Sequence, residues 1–398
     1  MRLRSCDWTI VVIALATLTG CGDDAVDTGA GDASSDAGAA DATKDTAACA
    51  PLPKQTIVDP PESDEVVVEG DPGSALGIFD PSLVYPAGAP GGALSYSSVP
   101  AQNDIRTRIA LSNDKGASWH FAAEANTPTD VTIDCDGKTC TGRLIDEVSS
   151  LLLDPDDPAP ARRWKLFTHR YLVMGQSTLR YELGHIALFT APAPEGPWSG
   201  ATKLLGWPSS SKLSSEGATT LTTSIPALAD CVVLSEPGSL WIPGGGGAPS
   251  SVDLALTCIH PIGAGVGIRV ELLRSVDHAV SFQHVATLVR ADQAGCFGST
   301  SPRISAPGLF SSGGHEYLVV SPEVEGVGYQ GCLTLAIENI ATGGVARTPV
   351  RFLAAPGGRF SGACAYAEGA SPSGYLMPQA FLGTSRPFRI FRSKLGAP

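Results

Sequence analysis

Ile105 opens the stretch IRTRIALSNDKGASWHF, and 163 residues later Ile268 opens IRVELLRSVDHAVSFQH. At that constant offset Ile105, Arg106, Ser112, Asp114, Ser118 and Trp119 meet Ile268, Arg269, Ser275, Asp277, Ser281 and Phe282. Each copy is an apolar run that enters a Ser-x-Asp turn and leaves it on an aromatic residue, the pattern of two strands joined by a tight turn. An Asp carboxylate and Ser hydroxyls satisfy the amides of such a turn, and Gly116 supplies a positive φ. Ala279 stands at the Gly116 place in the second copy. Between the copies, IALFTAPAPEGPWSG puts Gly196-Pro197-Trp198 in the equivalent position, so Trp119, Trp198 and Phe282 recur at intervals of 79 and 84 residues.

A second repeat precedes each turn. Phe79-Asp80-Pro81-Ser82-Leu83-Val84-Tyr85 begins one unit, Asp146-Glu147-Val148-Ser149-Ser150-Leu151-Leu152-Leu153 the next, and Ser235-Glu236-Pro237-Gly238-Ser239-Leu240-Trp241 the third. A fourth unit reads through Ala306 to Phe310, Tyr317 to Ser321 and Cys332 to Ile337; a fifth through Ala363 to Tyr366, Tyr375 to Phe381 and Phe388 to Leu395. The pattern predicts an all-β, five-bladed β-propeller over residues 51–398. The last unit lacks a fourth strand, and Val66-Val67-Val68 is expected to close the ring and remove an exposed sheet edge. Six blades, with extra strands between Thr219 and Leu228, and a β-sandwich are the alternatives.

Composition agrees. With 45 Gly and 31 Pro among 398 residues and only 17% charged, the chain lacks the Ala, Leu, Glu and Lys periodicity of long amphipathic helices, which argues against bundles and doubly wound folds. The net charge of −13 and the absence of a basic run exclude nucleic acid as the expected partner, because phosphate neutralisation needs clustered cations.

The N-terminus reads as an address. Arg2 and Arg4 precede the apolar run Trp8 to Leu18, so residues 1–20 are expected to be a secretory signal, too short to span a bilayer. Leu18-Thr19-Gly20-Cys21 resembles a bacterial lipobox, which implies cleavage before Cys21 and its lipidation; an ordinary signal peptide is the alternative. Residues 21–50 then form a tether: seven Asp and one Lys lie among Ala, Gly, Ser and Thr between Gly22 and Ala48, too little apolar surface to offset ordering. Gly22 after the lipidated Cys, by resemblance to enteric sorting rules, favours the outer membrane. The expected location is the bacterial cell envelope, with membrane contact through the lipid alone and a monomeric domain outside. Eight further cysteines, Cys49, Cys135, Cys140, Cys231, Cys258, Cys296, Cys332 and Cys364, suit an oxidising compartment and up to four disulfides. Cys135 and Cys140 flank a turn, Cys231 and Cys258 bracket neighbouring strands, and the other pairings stay open. No Cys-x-x-Cys and no His pair at ligand spacing point to zinc.

Asp80, Asp146 and Glu236 open the inner strands of three consecutive units and are expected to converge at the mouth of the ring. Mutual repulsion raises some of their pKa values and separates their protonation states, as glycoside hydrolysis requires. The pattern of strand starts over residues 76–290 resembles the five-bladed family 43 glycoside hydrolases, with weaker kinship to invertase-like families. That resemblance implies Asp80 as general base, Asp146 as tuning residue and Glu236 as general acid. Glu236 is followed by Pro-Gly where the family usually has Gly-Pro, and Asp146 by Glu147. The alternative is that these acids only bond to turn amides; Glu216 is a rival acid, and a non-catalytic glycan- or protein-binding propeller is the second functional reading. Trp207 and Trp241 are candidates for stacking on sugar rings, with packing the rival reading.

Ser112-x-Asp114-x-Gly116-x-Ser118-Trp119 also resembles the Asp box of sialidase-type propellers, with Ser275, Asp277 and Phe282 as its degenerate copy. Sialidase activity itself is not implied: Phe388-Arg389-Ile390-Phe391 lies at the wrong end of the chain for the family's Phe-Arg-Ile-Pro motif and lacks the Pro. Gly263-x-Gly265-x-Gly267 and Gly244 to Gly247 precede strand patterns and read as hairpin loops, not phosphate cradles. No cofactor is expected; Asp154, Asp156 and Asp157 are the one candidate set for Ca²⁺, against an exposed Asp/Pro loop.

Overall fold

In a computed structural model, the structure describes residues 50–398 apart from 103, 136, 176–177, 209–211, 263–264, 300–302, 325–327, 341–345 and 370–373. The expected signal peptide, Cys21 and tether up to residue 49 lie outside the described residues. The rest is an all-β, propeller-type arrangement of antiparallel sheets. The first sheet runs outward through Ile78–Val84, Gly92–Ala101, Asp104–Ser112 and Trp119–Glu124. The second runs through Lys138–Leu153, Trp164–Met174, Thr178–Ala191 and Thr202–Gly206, with Thr129–Cys135 added to the extended start of its inner strand. Val233–Ile242, Ser251–Ile262, Gly265–Ser275 and Gln283–Val289 form the third; Ile304–Ser312, His315–Val324, Cys332–Ile337 and Ala346–Ala354 form the fourth.

The blade count corrects the expectation from sequence: among the described residues there are four full sheets, not five. The fifth unit forms only a two-stranded sheet, Leu376–Ala380 with Phe388–Arg392, and its inner segment touches neighbours through isolated bridges at Ser361 and Ala365. Gly362, Ala363, Ala365 and Ala367 are poor strand formers with little side chain to pack, which explains why this segment makes no continuous ladder. Short parallel strands lie on three outer edges. Val68–Glu69 pairs with the first sheet, Thr220–Leu221 with the second, and Gln55–Ile57 with the fourth. Val66 N–H also donates to Ile390 C=O at 2.8 Å.

Packing follows from alternation. Leu254, Leu256, Leu273 and Phe282 of the third sheet meet Leu188, Leu204 and Leu205 of the second in one apolar layer, and Leu272 and Val270 face Leu318, Val320 and Leu333 of the fourth in another. Both Ser-x-Asp turns have the same hydrogen-bond net. Ser112 Oγ accepts from Gly116 N–H (2.8 Å) and Asp114 Oδ1 from Ser118 N–H (2.9 Å); Ser275 and Asp277 do the same for Ala279 (2.8 Å) and Ser281 (2.9 Å). Trp119 and Phe282, the aromatics that follow, are buried. Disulfides join Cys135 to Cys140, Cys231 to Cys258 and Cys332 to Cys364, the last tying the fourth sheet to the inner segment of the fifth unit.

Candidate active site

Five inner segments place one residue each in the left-handed region: Asp80 (φ 48°), Val148 (50°), Glu236 (51°), Ala306 (51°) and Ala363 (53°). Such a φ is uncommon outside Gly and costs about 1–2 kcal/mol. In each of the four full sheets it coincides with a break in the register to the second strand, between Phe79 and Ser82, Glu147 and Ser150, Ser235 and Gly238, and Ser305 and Gly308. A bulge of this kind turns a side chain away from its own sheet, here toward the axis. Below it Pro81, Ser82, Ser149, Ser150, Pro237 and Gly238 line a central channel with about 60 Å³ of room for water-sized molecules. That is far below the roughly 300 Å³ of a small ligand pocket, so the channel is a solvent-scale axis.

Asp80 and Glu236 sit on this repeat, and Glu147 is the residue before Val148. Glu236 accepts Thr257 Oγ1 at 2.7 Å, the Ala306 N–H at 2.9 Å and the Tyr329 hydroxyl. Asp80 accepts Ser97 Oγ at 3.3 Å and the Val148 N–H. Glu147 accepts the Tyr171 hydroxyl, and Glu323, on the second strand of the fourth sheet, accepts Ser305 Oγ at 2.8 Å. All are nearly sealed: Asp80 is 7% exposed, Glu147 1% and Glu236 6%. Burial, and then the charges of Glu147 and Glu236, push the Asp80 carboxyl well above the usual range. Burial, reinforced by Glu236, pushes Glu147 up to about 7 against the opposing Tyr171 hydrogen bond, and Glu323 likewise to about 7. Carboxyls that feel each other in this way do not all ionise together.

Of the three predicted acids, Asp80 and Glu236 are therefore brought together and Asp146 is not. Adjacent residues of a strand face opposite ways, and Asp146 turns from Glu147's side to Thr168 Oγ1 (2.8 Å) and the Arg170 guanidinium (3.4 Å). Burial raises it to about 6. In the repeat, the place of Asp80 and Glu236 falls to Val148, two residues past Asp146. The sequence carries the signal for this register: Ser and Leu follow both Asp80 and Val148 by two and three residues. Glu147 and Glu323 are the acids that sequence reasoning missed. Glu216, the rival acid, is exposed on the outer part of the second sheet's region.

Trp207 does not offer a face to a sugar. It is fully buried in the layer between second and third sheets, 6.1 Å from the His169 ring, and Trp241 is half-buried against the same layer. The Asp154–Asp157 loop, read from sequence as an exposed Asp/Pro loop with Ca²⁺ as the rival reading, is exposed only in part: Asp156 is exposed, while buried Asp154 and Asp157 flank the fully buried Lys165 ammonium at 3.3 and 2.8 Å. His278 Nδ1, from the turn of the third sheet, lies 3.0 Å from Asp154. Lys165 thus fills the cation position between the two carboxylates.

No family model matches the sequence, and no curated protein does. Solved structures do. A fructofuranosidase from Schwanniomyces occidentalis complexed with fructose is similar over 84% of this chain and 60% of its own, at 9% identity and a TM-score of 0.51. A thermostable family-43 glycoside hydrolase matches over 84% and 91%, at 12% identity and a TM-score of 0.45. An endo-arabinase from Bacteroides thetaiotaomicron covers 80% and 95%, at 11% and 0.47. The chain spans about three fifths of the fructofuranosidase. The fold is thus of the class seen in propeller glycoside hydrolases.

Proposed function

We propose that this chain is a carbohydrate-active propeller that hydrolyses a glycosidic bond at the mouth of its central channel. The observation that carries the reading is the group Asp80, Glu147 and Glu236: three carboxyls from three consecutive sheets, each within reach of the others' charge. Asp80 is the base that activates water and Glu236 the acid that protonates the leaving oxygen, as the family resemblance implies. The tuning place expected of Asp146 falls to Glu147. A proton on Glu147 removes one of the charges that add to burial in raising Asp80. The same reading extends to the N-terminus: a signal peptide, lipidation at Cys21 and an acidic tether that present the ring on the cell envelope, with residues 65–68 bridging its seam.

The test is release of aryl alcohol from a panel of aryl glycosides. Glu236→Gln and Asp80→Asn, both still folded by near-ultraviolet circular dichroism, are expected to lose turnover by at least a hundredfold, the usual scale of acid/base catalysis (~10²–10⁴). Full turnover in Glu236→Gln overturns the assignment. A second reading, a glycan-binding propeller without turnover, is favoured by one observation: the carboxyls are nearly sealed, and Glu236 and Asp80 each bond a backbone amide of the next sheet. Binding of oligosaccharides by the wild-type chain with no aryl release decides for it.

A further inference from the structure

Arg359 meets Arg389, thirty residues on, over Phe381, and Arg386 lies three residues before Arg389. The Arg359 guanidinium lies 4.2 Å from the Phe381 ring centroid and that of Arg389 lies 4.8 Å away. Arg386 joins them through Arg389 Nε, which donates to the Arg386 carbonyl at 3.5 Å. Each of the two stacked arginines is one residue from an aromatic that leads to the mouth. Phe360, next to Arg359, stacks on Tyr329 at 5.1 Å, and Tyr329 donates to Glu236. Phe388, next to Arg389, lies 5.1 Å from Phe79, the neighbour of Asp80. Phe381 leads into the hairpin between the second and third strands of the fifth unit, the same end of the sheets at which Asp80 and Glu236 stand, so the cluster lies on the rim of that end.

Their charge is only partly met. Arg386 and Arg389 share the buried carboxylate of Glu65, and Arg389 reaches the exposed Glu62 at 3.9 Å. Arg359 donates to a neutral acceptor, Gln379 Oε1, at 2.9 Å, and among the described residues no carboxylate pairs with it. Stacking on an aromatic ring fixes a guanidinium and leaves its in-plane donors pointing outward, the geometry that receives a carboxylate or sulfate in a two-pronged hydrogen bond. The net charge of −13 does not cancel this, because at physiological salt fields fade within about 8 Å.

We infer that this rim binds the anionic substituent of an acidic glycan, a carboxylate or a sulfate, while the sugar's neutral ring faces Asp80 and Glu236. The inference rests on the carbohydrate reading of the same mouth. The test is calorimetric titration of the full chain with three oligosaccharides of one backbone: neutral, uronate-bearing and sulfated. The wild type is expected to prefer an acidic ligand, with affinity falling as salt rises, and the better of the two identifies the group. Arg359→Gln is expected to cut the acidic-over-neutral ratio about tenfold, the scale of one charge-assisted contact; Arg359→Lys retains part of it. Circular dichroism checks that both variants fold. Equal affinity for neutral and acidic ligands, or an unchanged ratio in Arg359→Gln, overturns the inference and leaves the carbohydrate reading standing. If no oligosaccharide of any charge binds, both fall together.

Discussion

Burial, reinforced by the charge of Glu236, makes Glu147 costly to ionise, and that cost is a stability term. Its carboxyl titrates near 7 in the folded chain against about 4.5 when unfolded. Between those values the unfolded chain has lost a proton that the folded chain keeps, so stability falls as pH rises through this window and stays lower above it. Glu147→Gln, which still accepts the Tyr171 hydroxyl, removes the slope. It is expected to match the wild type near pH 4 and exceed it by roughly 3 kcal/mol at pH 8, measured by urea denaturation at both values. A difference that does not grow with pH dismisses the assignment. At this scale the sequence was half legible. Asp80 and Glu236 announce themselves because each precedes a Pro at a strand start, whereas in the second unit the left-handed position is a valine and the functional side chain stands one residue earlier. A carboxylate pair such as Asp146-Glu147 does not reveal which member faces the axis until the bulge is placed.

Among elements, the turns were the most readable, because their amides are satisfied locally. Ser112 and Asp114, and Ser275 and Asp277, build the same net although Ala279 replaces the glycine, since the left-handed φ of 66° at Ala279 is held by the hydrogen bond to Ser275. The inner segments were legible in position but not in pairing. Four of them found continuous partners; the fifth, rich in Gly and Ala, did not, because strand pairing depends on side-chain surface that those residues lack. Where inner segments approach one another the demand is instead for absence of side chain. A Cβ on Gly238 would stand 2.2 Å from the Pro307 carbonyl oxygen of the next sheet. Gly238→Ala must push third and fourth inner strands apart and is expected to destabilise by about 1–3 kcal/mol, the usual cost of overpacking. A chemical melt of that variant checks it, and an unchanged midpoint would mean the two strands are not in register at the axis.

Over the whole molecule, negative charge divides between an N-terminal segment rich in Asp and a domain whose described acids are mostly paired with arginine, lysine or hydroxyl donors. The proposed lipid attachment at Cys21 is tested on the full chain: Cys21→Ser is expected to move the protein from the membrane fraction to the soluble one after cell lysis, and continued sedimentation with membranes refutes the anchor. The ring itself is held by contacts that sequence spacing does not disclose, since they join residues more than a hundred positions apart. His278 is the clearest: its Nδ1 lies 3.0 Å from Asp154 and its carbonyl accepts from Arg162, beside the Lys165 ammonium that lies between Asp154 and Asp157. Acidic loops of this composition commonly recruit a dissolved divalent ion, whose occupancy then follows its concentration outside the cell. Here a counter-ion is covalently part of the chain: the Lys165 ammonium sits against both carboxylates, so the joint between second and third sheets carries a positive charge of its own whatever salts surround it.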